Sequence, residues 1–302
     1  MQLHAVLRSF FLHCADINNL HISVLYTCSS ELHTHQYMQL REEWERNPNV
    51  AFIRQNRFRY DVFKILNPYP SKSFPYWFFG ILSQLHHRLA YLFTPLISTV
   101  DTPYFILFLV DDALFVRDFR MTDVVDALRS HPDSLGFSLR LGRNTTFCYM
   151  NNVDQHPPDF LPLTKDILKF NWINAEQDFG YPLEVSSSVY RAHEILPFLL
   201  KIPFNNPNHL EGGMNWFKDV FATHRPDLLC FEQSVAFSNP INIVQRVSPA
   251  NRVGTHRHYS TEELAVLFDQ GNQIRIEAYR GLIPISCHQE VDLVFEKREA
   301  FR

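Results

Sequence analysis

Glycine is scarce in this chain of 302 residues, which contains only nine glycines. That is about half of what an average usage of roughly 7% predicts. The chain has neither a GxGxxG fingerprint nor a GxxxxGK[ST] loop, and both of these phosphate-binding turns depend on glycine. The sequence therefore argues against a Rossmann dinucleotide site and a P-loop, and a nucleotide would have to be held through a metal ion and side chains.

Cysteine pairs and runs of basic residues are also missing. The five cysteines are scattered without a CxxC pair, which argues against a zinc ribbon or a disulfide framework and is typical of the reducing cytoplasm. The formal net charge is -4 at pH 7, and no basic run offers a local patch for a polyanion. Nucleic acid is therefore not an expected partner.

A long uninterrupted apolar segment is absent as well. The most apolar helix candidate, residues 77–97, carries His86, His87 and Arg88 at its centre, where a bilayer would have to accommodate charge. Residues 1–14 lack the small-residue cleavage site of a signal peptide. We therefore expect no membrane span and a cytoplasmic protein, although the sequence leaves open a peripheral contact with a membrane.

What the chain does contain is a large apolar fraction, 46% of its residues, which is enough to build one large core. Apolar spacing predicts helices alternating with strands through residue 140. The predicted helices are 2–14, 35–46, 75–97 and 122–130, the last one capped by Thr122, and the predicted strands are 21–27, 50–54, 104–110 and 135–139. Such alternation favours an α/β fold with a mostly parallel sheet and helices on both faces.

The second half of the chain is less regular. Residues 150–182 are rich in Pro, Asn and Asp, and loops of this length are usually functional. Apolar spacing predicts a helix at 210–221, and Ser260 followed by Glu263 predicts a capping box at the start of another helix. No linker rich in Gly or Ser divides the chain, so we expect a single domain, 1–302.

Two adjacent carboxylates, Asp111 and Asp112, follow the apolar run 104–110. A run without alternation predicts a strand that is buried on both faces, in the middle of a parallel sheet. Ligands of open α/β sheets bind outside the carboxyl ends of such strands. Two carboxylates at that edge suit Mg²⁺ or Mn²⁺, which take their remaining ligands from water and substrate phosphates. The alternative is that the pair only ends a strand and begins a turn.

Glu211 lies at the start of a predicted helix, after Asn205-Asn-Pro-Asn-His-Leu. A carboxylate in this position is well placed to act as a general base above the edge of the sheet. Asn208 with Glu211 also has the spacing of a capping box, in which the glutamate would only satisfy free backbone amides. Both interpretations stay open, since one carboxylate could begin a helix and still face a cleft.

Two further groups of side chains are candidates. His256 and His258 form an HxH pair whose imidazoles, on a strand, would point the same way and could reach a metal or a phosphate. Chance proximity is the alternative in a chain with 15 histidines. A platform for a hydroxyl-rich ligand such as a sugar ring could be formed by Trp172, Asp178, Tyr181 and Trp216. Each aromatic residue, taken singly, is more often part of a core.

The order of these motifs resembles the nucleotide-sugar glycosyltransferases of the GT-A fold, and most nearly the bacterial inverting enzymes of the family-2 type. The resemblance spans nearly the whole chain and rests on short motifs. They are the early Leu-x-x-x-Leu-Arg-Ser helix (Leu3, Leu7, Arg8, Ser9), the strand ending in Asp111-Asp112, Tyr181-Pro182, an acidic residue that opens a later helix, and a late histidine.

The resemblance implies roles for the acidic motif. The DxD-type motif of the family would fall on Val110-Asp111-Asp112. Asp112 is then similar to the metal-binding carboxylate, with Mn²⁺ or Mg²⁺ as cofactor, and Asp111 to a ribose or metal contact. Val110 replaces the first Asp of the motif. The catalytic acidic residue would fall on Glu211, which Gly212 follows in place of a second acidic residue.

The resemblance also implies where the substrates bind. The late histidine of the metal or diphosphate site would fall on His256, or on His258. Members of the fold begin with a strand that contacts the nucleobase, and that first strand has no counterpart ahead of helix 2–14, which leaves Thr27 near the base. Residues 1–140 would form the nucleotide and metal half, and residues 141–302 the acceptor half.

The implied activity is inverting transfer of a sugar from a nucleoside-diphosphate donor to a hydroxyl of a glycan or another acceptor. Two other functions are compatible with the same residues. One is a metal-dependent hydrolase of phosphate esters or diphosphates that uses Asp111, Asp112, His256 and His258. The other is a non-catalytic carbohydrate-binding relative that has lost donor binding.

Overall fold

The computed structural model of the protein describes residues 1–66, 104–241 and 259–298. The helices of these ranges are α1 (Gln2–His13), α2 (Glu31–Trp44), α3 (Phe58–Leu66), α4 (Met121–Ser130), α5 (Ala192–Leu199), α6 (Pro207–Asn215), α7 (Lys218–His224) and α8 (Thr261–Asp269). In the same ranges, none is long and apolar enough to cross a membrane. The predicted helix at 75–97 lies outside the described residues.

The strands of the first half are β1 (Ile22–Tyr26), β2 (Val50–Arg54), β3 (Phe105–Leu107), β4 (Ala113–Phe115), β5 (Ser134–Ser138), β6 (Phe147–Cys148) and β7 (Val153–Asp154). Those of the second half are β8 (Leu161–Pro162), β9 (Ile167–Asn171), β10 (Ser188–Arg191), β11 (Asp227–Phe231), β12 (Ala236–Ser238), β13 (Asn272–Ile274) and β14 (Phe295–Lys297).

The largest sheet has six strands in the order β3-β10-β5-β11-β9-β8. The strands β1 and β2 form a separate parallel pair. The mixed α/β class that the sequence predicts is confirmed, but the direction of the strands differs from the expectation of a mostly parallel sheet. Within the six-stranded sheet β5 and β11 run parallel, and the other pairings are antiparallel. An apolar run shows that a strand is covered, and carries no information on its direction.

The apolar run before Asp111 contacts apolar residues on both faces, but its strand is limited to Phe105–Leu107, and only Ile106 of these three is buried. Ile106 belongs to a core that also contains residues of α3, α5 and α6. Phe105 and Leu107 pack against a second core that contains residues of α1 and α4. The position of the strand is a correction, because β3 stands at the end of the six-stranded order and pairs antiparallel with β10.

Helix α4 shows why local capping could not be assigned from the sequence. Met121, Val124 and Leu128 are buried on one face, which is the spacing expected of an amphipathic helix. The predicted cap Thr122 lies inside the helix. The carboxylate of Asp16, from the turn after α1, accepts the backbone N–H groups of Met121 and Thr122 at 2.7 and 2.8 Å. A distant carboxylate thus satisfies the free amides of this helix start.

Two predictions for the second half have different outcomes. The predicted capping box of Ser260 and Glu263 is confirmed at the start of α8. The predicted helix at 210–221 is instead divided into α6 and α7. The backbone N–H groups of Trp216 and Phe217 bond to carbonyls three residues back, and such tight bonds are typical of the end of an α-helix.

Candidate functional site

A buried arginine, Arg140, is the centre of the candidate site. It lies two residues beyond β5, and only 4% of its surface is exposed. Its guanidinium donates to Ser187 Oγ at 2.9 Å, to Ser238 Oγ at 3.0 Å and to Glu184 Oε2 at 3.0 Å. These partners come from two segments, the end of β12 and the loop before β10, and Arg140 joins both of them to the end of β5.

Glu184 is held in one orientation by this loop. Its carboxylate accepts hydrogen bonds from the backbone amides of Ser186 and Ser187 and from the Ser187 hydroxyl. Its own carbonyl accepts the hydroxyl of Tyr190 at 2.8 Å. Since the carboxylate of Glu184 is engaged on several sides, it serves as the counter-charge that compensates the burial of Arg140.

Asp112 borders the same cluster from the first half of the chain. Its backbone carbonyl accepts from the Asn239 amide at 2.9 Å, next to the end of β12. Burial, and secondly the charge of Asp111, raise the pKa of Asp112 to about 7, against the opposing effect of Arg140. Within the described ranges, Asp112 Oδ1 is buried and has no hydrogen-bond partner. A buried acceptor without a partner calls for an explanation, and a cation is one.

The residues present fit a hard divalent cation that is shared with a substrate. Asp111 is exposed and Asp112 is half-buried, so the pair offers oxygen ligands at the surface of the cluster. Over residues 1–66, 104–241 and 259–298, no group of three or more His, Cys, Asp or Glu side chains is arranged to hold a metal by itself. Mg²⁺ and Mn²⁺ suit such a site, because one or two carboxylates suffice when phosphate and water complete the shell.

Glu211 is placed in the second turn of α6 and caps nothing in its own helix. The cap is Asn206, whose side chain accepts the His209 amide at 2.8 Å, so the capping-box interpretation of Glu211 is wrong. Glu211 Oε2 accepts the Val185 amide at 2.9 Å, and Oε1 accepts the Tyr181 hydroxyl at 3.3 Å. Burial, and next the charge of Glu184, raise the pKa of Glu211.

Two of the four residues of the predicted platform, Asp178 and Tyr181, lie near Arg140 or Glu211. Burial raises the pKa of Asp178, and the charge of Arg140 opposes this shift. Its Oδ2 accepts from Gln155 Nε2 at 3.3 Å. Tyr181, which contacts Glu211, is 41% exposed. Asp178 and Tyr181 therefore lie beside the residues around Arg140 and Glu211.

Trp172 is a correction. Its side chain is fully buried, and its Nε1 donates to the carbonyl of Arg225 at 2.7 Å. A ring enclosed by core residues has no face for a sugar. Trp216, the other tryptophan of the predicted platform, is 68% exposed. Chain position could not distinguish the two, because burial depends on the packing of α7 against the sheet.

Thr27 lies at the end of β1, on the side of Asp111. Tyr26, the residue before it, stacks on Tyr37 with 4.2 Å between ring centroids. Burial, then the charge of Asp111 and next Cys28, raise the pKa of Tyr37. The carboxyl end of β1 and Asp111 therefore share one region. Thr27 itself is exposed.

The predicted histidines His256 and His258 lie outside the described residues, and the structure brings a different late histidine to the cluster. His288 Nε2 accepts from Arg140 Nη1 at 3.4 Å. Burial, and secondly Arg140, lower the pKa of His288 to about 3, so its ring is neutral at pH 7. No sequence pattern marked His288. Arg140 follows an apolar strand, as Asp111 does. The rule that polar side chains after the end of an apolar strand are site candidates would therefore have identified Arg140 as well.

No known protein-family model matches the chain. It is similar to the bifunctional glycosyltransferase pgtA of Dictyostelium discoideum, with 23% identity over 267 residues. The alignment covers 80% of this chain and 30% of the relative, so the chain spans about 30% of the length of that protein. This distant similarity supports a glycosyltransferase.

Proposed function

We propose that the chain transfers a sugar from a nucleoside-diphosphate donor to an acceptor hydroxyl, with inversion at the anomeric carbon, on a fold of the GT-A type. One observation carries the proposal. Asp112 from the first half and Glu211 from the second lie around the same buried Arg140, whose charge acts on the pKa of each. A carboxylate pair of this kind supplies a metal ligand on one side and a base on the other.

The donor would bind on the side of β1 and Asp112. Thr27 and Asp111 would contact the nucleoside, and Asp112 has a buried oxygen, Oδ1, that lacks a hydrogen-bond partner among the described residues. A divalent cation, Mn²⁺ or Mg²⁺, would supply positive charge for the departing diphosphate. Asp112 would hold the cation, and Asp111 would contribute a second carboxylate or contact the ribose.

The acceptor would bind on the side of Tyr181 and Glu211. Its hydroxyl oxygen attacks the anomeric carbon as the bond to the diphosphate breaks, and the hydroxyl proton passes to Glu211. The raised pKa of Glu211 suits this role, because a base is most effective when its pKa approaches the working pH. Asp178 lies in the same half, where its carboxylate could accept a hydroxyl of a bound sugar.

A donor screen tests the proposal directly. UDP, GDP and dTDP sugars are each added with and without Mn²⁺, and the shift in melting temperature is measured. We expect one nucleotide to stabilise the protein, and to do so only with the metal, by mass action. Absence of stabilisation by every donor would contradict nucleotide-sugar binding. Sugar or phosphate release from the bound donor without an acceptor would identify a hydrolase instead.

A further inference from the structure

Both chain neighbours of Tyr181 are held by hydrogen bonds to other parts of the fold. Before it, the Gly180 carbonyl accepts Lys218 Nζ at 2.7 Å. After it, the Pro182 carbonyl accepts the hydroxyl of the buried Tyr190 at 2.9 Å. The backbone is therefore fixed on both sides of Tyr181, and its side chain starts from a defined position although the residue is 41% exposed.

The two carboxylate oxygens of Glu211 have different partners. Oε2 accepts the backbone amide of Val185 at 2.9 Å. Oε1 accepts the hydroxyl of Tyr181 at 3.3 Å, whereas a hydrogen bond between a hydroxyl and an oxygen is usually about 2.7–2.8 Å long. Oε1 therefore has the weaker partner, on an exposed side chain. Of the two oxygens, Oε1 is the one whose bond a second hydroxyl can share or replace.

Asn215 joins the helix of Glu211 to the segment of Tyr181. Its Nδ2 group donates to the carbonyl of Glu211, in its own helix, and to the carbonyl of Leu183, both at 3.0 Å. The side chain of Asn215 also forms a hydrogen bond with that of Tyr181. Helix α6 and the segment that follows Tyr181 are thus joined beside the carboxylate, so the contact between Tyr181 and Glu211 belongs to a fixed arrangement.

The hydroxyl of Tyr181 acts on Glu211 as a hydrogen-bond donor. Burial, and next the charge of Glu211, raise the pKa of Tyr181 above its ordinary value of 10. Tyr181 therefore keeps its proton at neutral pH and cannot itself be the base. Its O–H group donates to Oε1, and a hydrogen bond of this kind favours the ionised form of a carboxylate.

We propose that Tyr181 is a positioning residue for the base: its hydroxyl holds Glu211 Oε1 in place beside the acceptor hydroxyl and keeps the carboxylate ionised. The inference rests on the proposed function, in which Glu211 takes the acceptor proton. With Oε2 held by the Val185 amide and Oε1 by Tyr181, the plane of the carboxylate is set before the acceptor binds. A catalytic group that is fixed in advance avoids reorientation during the reaction.

The test is a titration of the Glu211 carboxyl group by nuclear magnetic resonance, with isotope-labelled glutamate, in the parent and in Tyr181→Phe. Glu211→Gln identifies the resonance by its loss. We expect Tyr181→Phe to move the midpoint of the Glu211 titration to higher pH by roughly half a unit to one unit, because the ionised carboxylate loses a hydrogen-bond donor. The acid limb of the transfer activity should move by the same amount, with the affinity for the nucleotide sugar unchanged.

Tyr279→Phe is the matched control. It removes a tyrosine hydroxyl that donates to the Asp292 carbonyl at 2.8 Å, in a core cluster whose described members include no residue of α6. It should leave the titration of Glu211 unchanged. Melting curves verify that both variants are folded.

Two results would overturn the proposal: an unchanged titration of Glu211 in Tyr181→Phe, or an equal shift in Tyr279→Phe. The titration needs neither nucleotide sugar nor acceptor, so it is independent of transfer. If Tyr181→Phe shifts the titration of a protein that shows no transfer with any donor, the proposed function is wrong and the hold of Tyr181 on Glu211 is confirmed.

Discussion

The side chains of Arg140 and Glu184 form an ion pair inside the candidate site, with 3.0 Å between Nη2 and Oε2. Their side chains are only 5% and 10% exposed. The pair joins the end of β5 to the loop whose Val185 amide binds Glu211. Breaking it should therefore disturb both the stability of the protein and the position of the proposed base.

Arg140→Met should lower the free energy of unfolding by about 3–5 kcal/mol, because it leaves the buried carboxylate of Glu184 without its cation. Urea denaturation measures the change. The matched control is Arg143→Met, which removes the exposed pair of Arg143 with Glu232, 2.8 Å apart. That change should stay within about 1 kcal/mol. Equal losses in the two variants would show that burial of Arg140 carries no special cost.

Asp112→Asn should abolish Mn²⁺-dependent binding of the nucleoside diphosphate, since the substitution keeps the shape and removes the charge that holds the cation. Calorimetry with the donor nucleotide measures the effect. Asp126→Asn, on the exposed face of α4, is the control and should bind as the parent does. If Asp112→Asn retains metal-dependent affinity, the cation is held elsewhere.

Glu211→Gln should reduce transfer on the order of 10²-fold or more, because an amide cannot take the acceptor proton. Tyr181→Phe removes one hydrogen bond to the same carboxylate and should cost far less. The pKa of Glu211 is raised above its ordinary value of 4.5, so Glu211 takes up a proton at a higher pH than a free glutamate does. The transfer activity of the parent should therefore begin to fall on acidification at a pH above 4.5. Turnover of Glu211→Gln near that of the parent would turn attention to Asp178.

His288 should make the protein less stable in acid. Its pKa is lowered by burial, and secondly by Arg140, from 6.5 to about 3. Between these pH values His288 binds a proton in the unfolded chain and does not bind one in the folded protein. The free energy of unfolding is therefore lost progressively as the pH falls from about 6.5 towards 3. The loss is on the order of a few kcal/mol.

The stability of His288→Gln should fall less over the same range, measured by denaturation at several pH values. Many groups titrate in this pH range, so the informative quantity is the difference in unfolding free energy between the parent and the variant. His156→Gln, at a histidine side chain that is 89% exposed, should behave as the parent does. If the difference in unfolding free energy between parent and variant does not change with pH, the lowered pKa of His288 is wrong.

Much of the local structure was predictable from the sequence. The bounds of β2, Val50–Arg54, agree with the predicted strand, and helices α1 and α4 lie where apolar spacing predicted them. The rule that polar ligands lie at the ends of apolar strands also led to Asp112. These features depend on residues that are close together in the chain, and short-range periodicity reports them.

Only the tertiary structure decided which distant groups meet. Asp112 and Glu211 lie around Arg140 because β12 pairs with β4 beside Asp112 and the loop before β10 binds both Arg140 and Glu211. His288 joins them through the bridge between Ser238 and His288, and no local pattern encodes that meeting. Trp172 and Trp216 are the same residue type, yet one is enclosed and the other is 68% exposed. The sequence by itself determined which segments form strands and which carboxylates follow them. Strand direction, burial and the shifted pKa values arise from long-range packing, which sets solvent access and neighbouring charge.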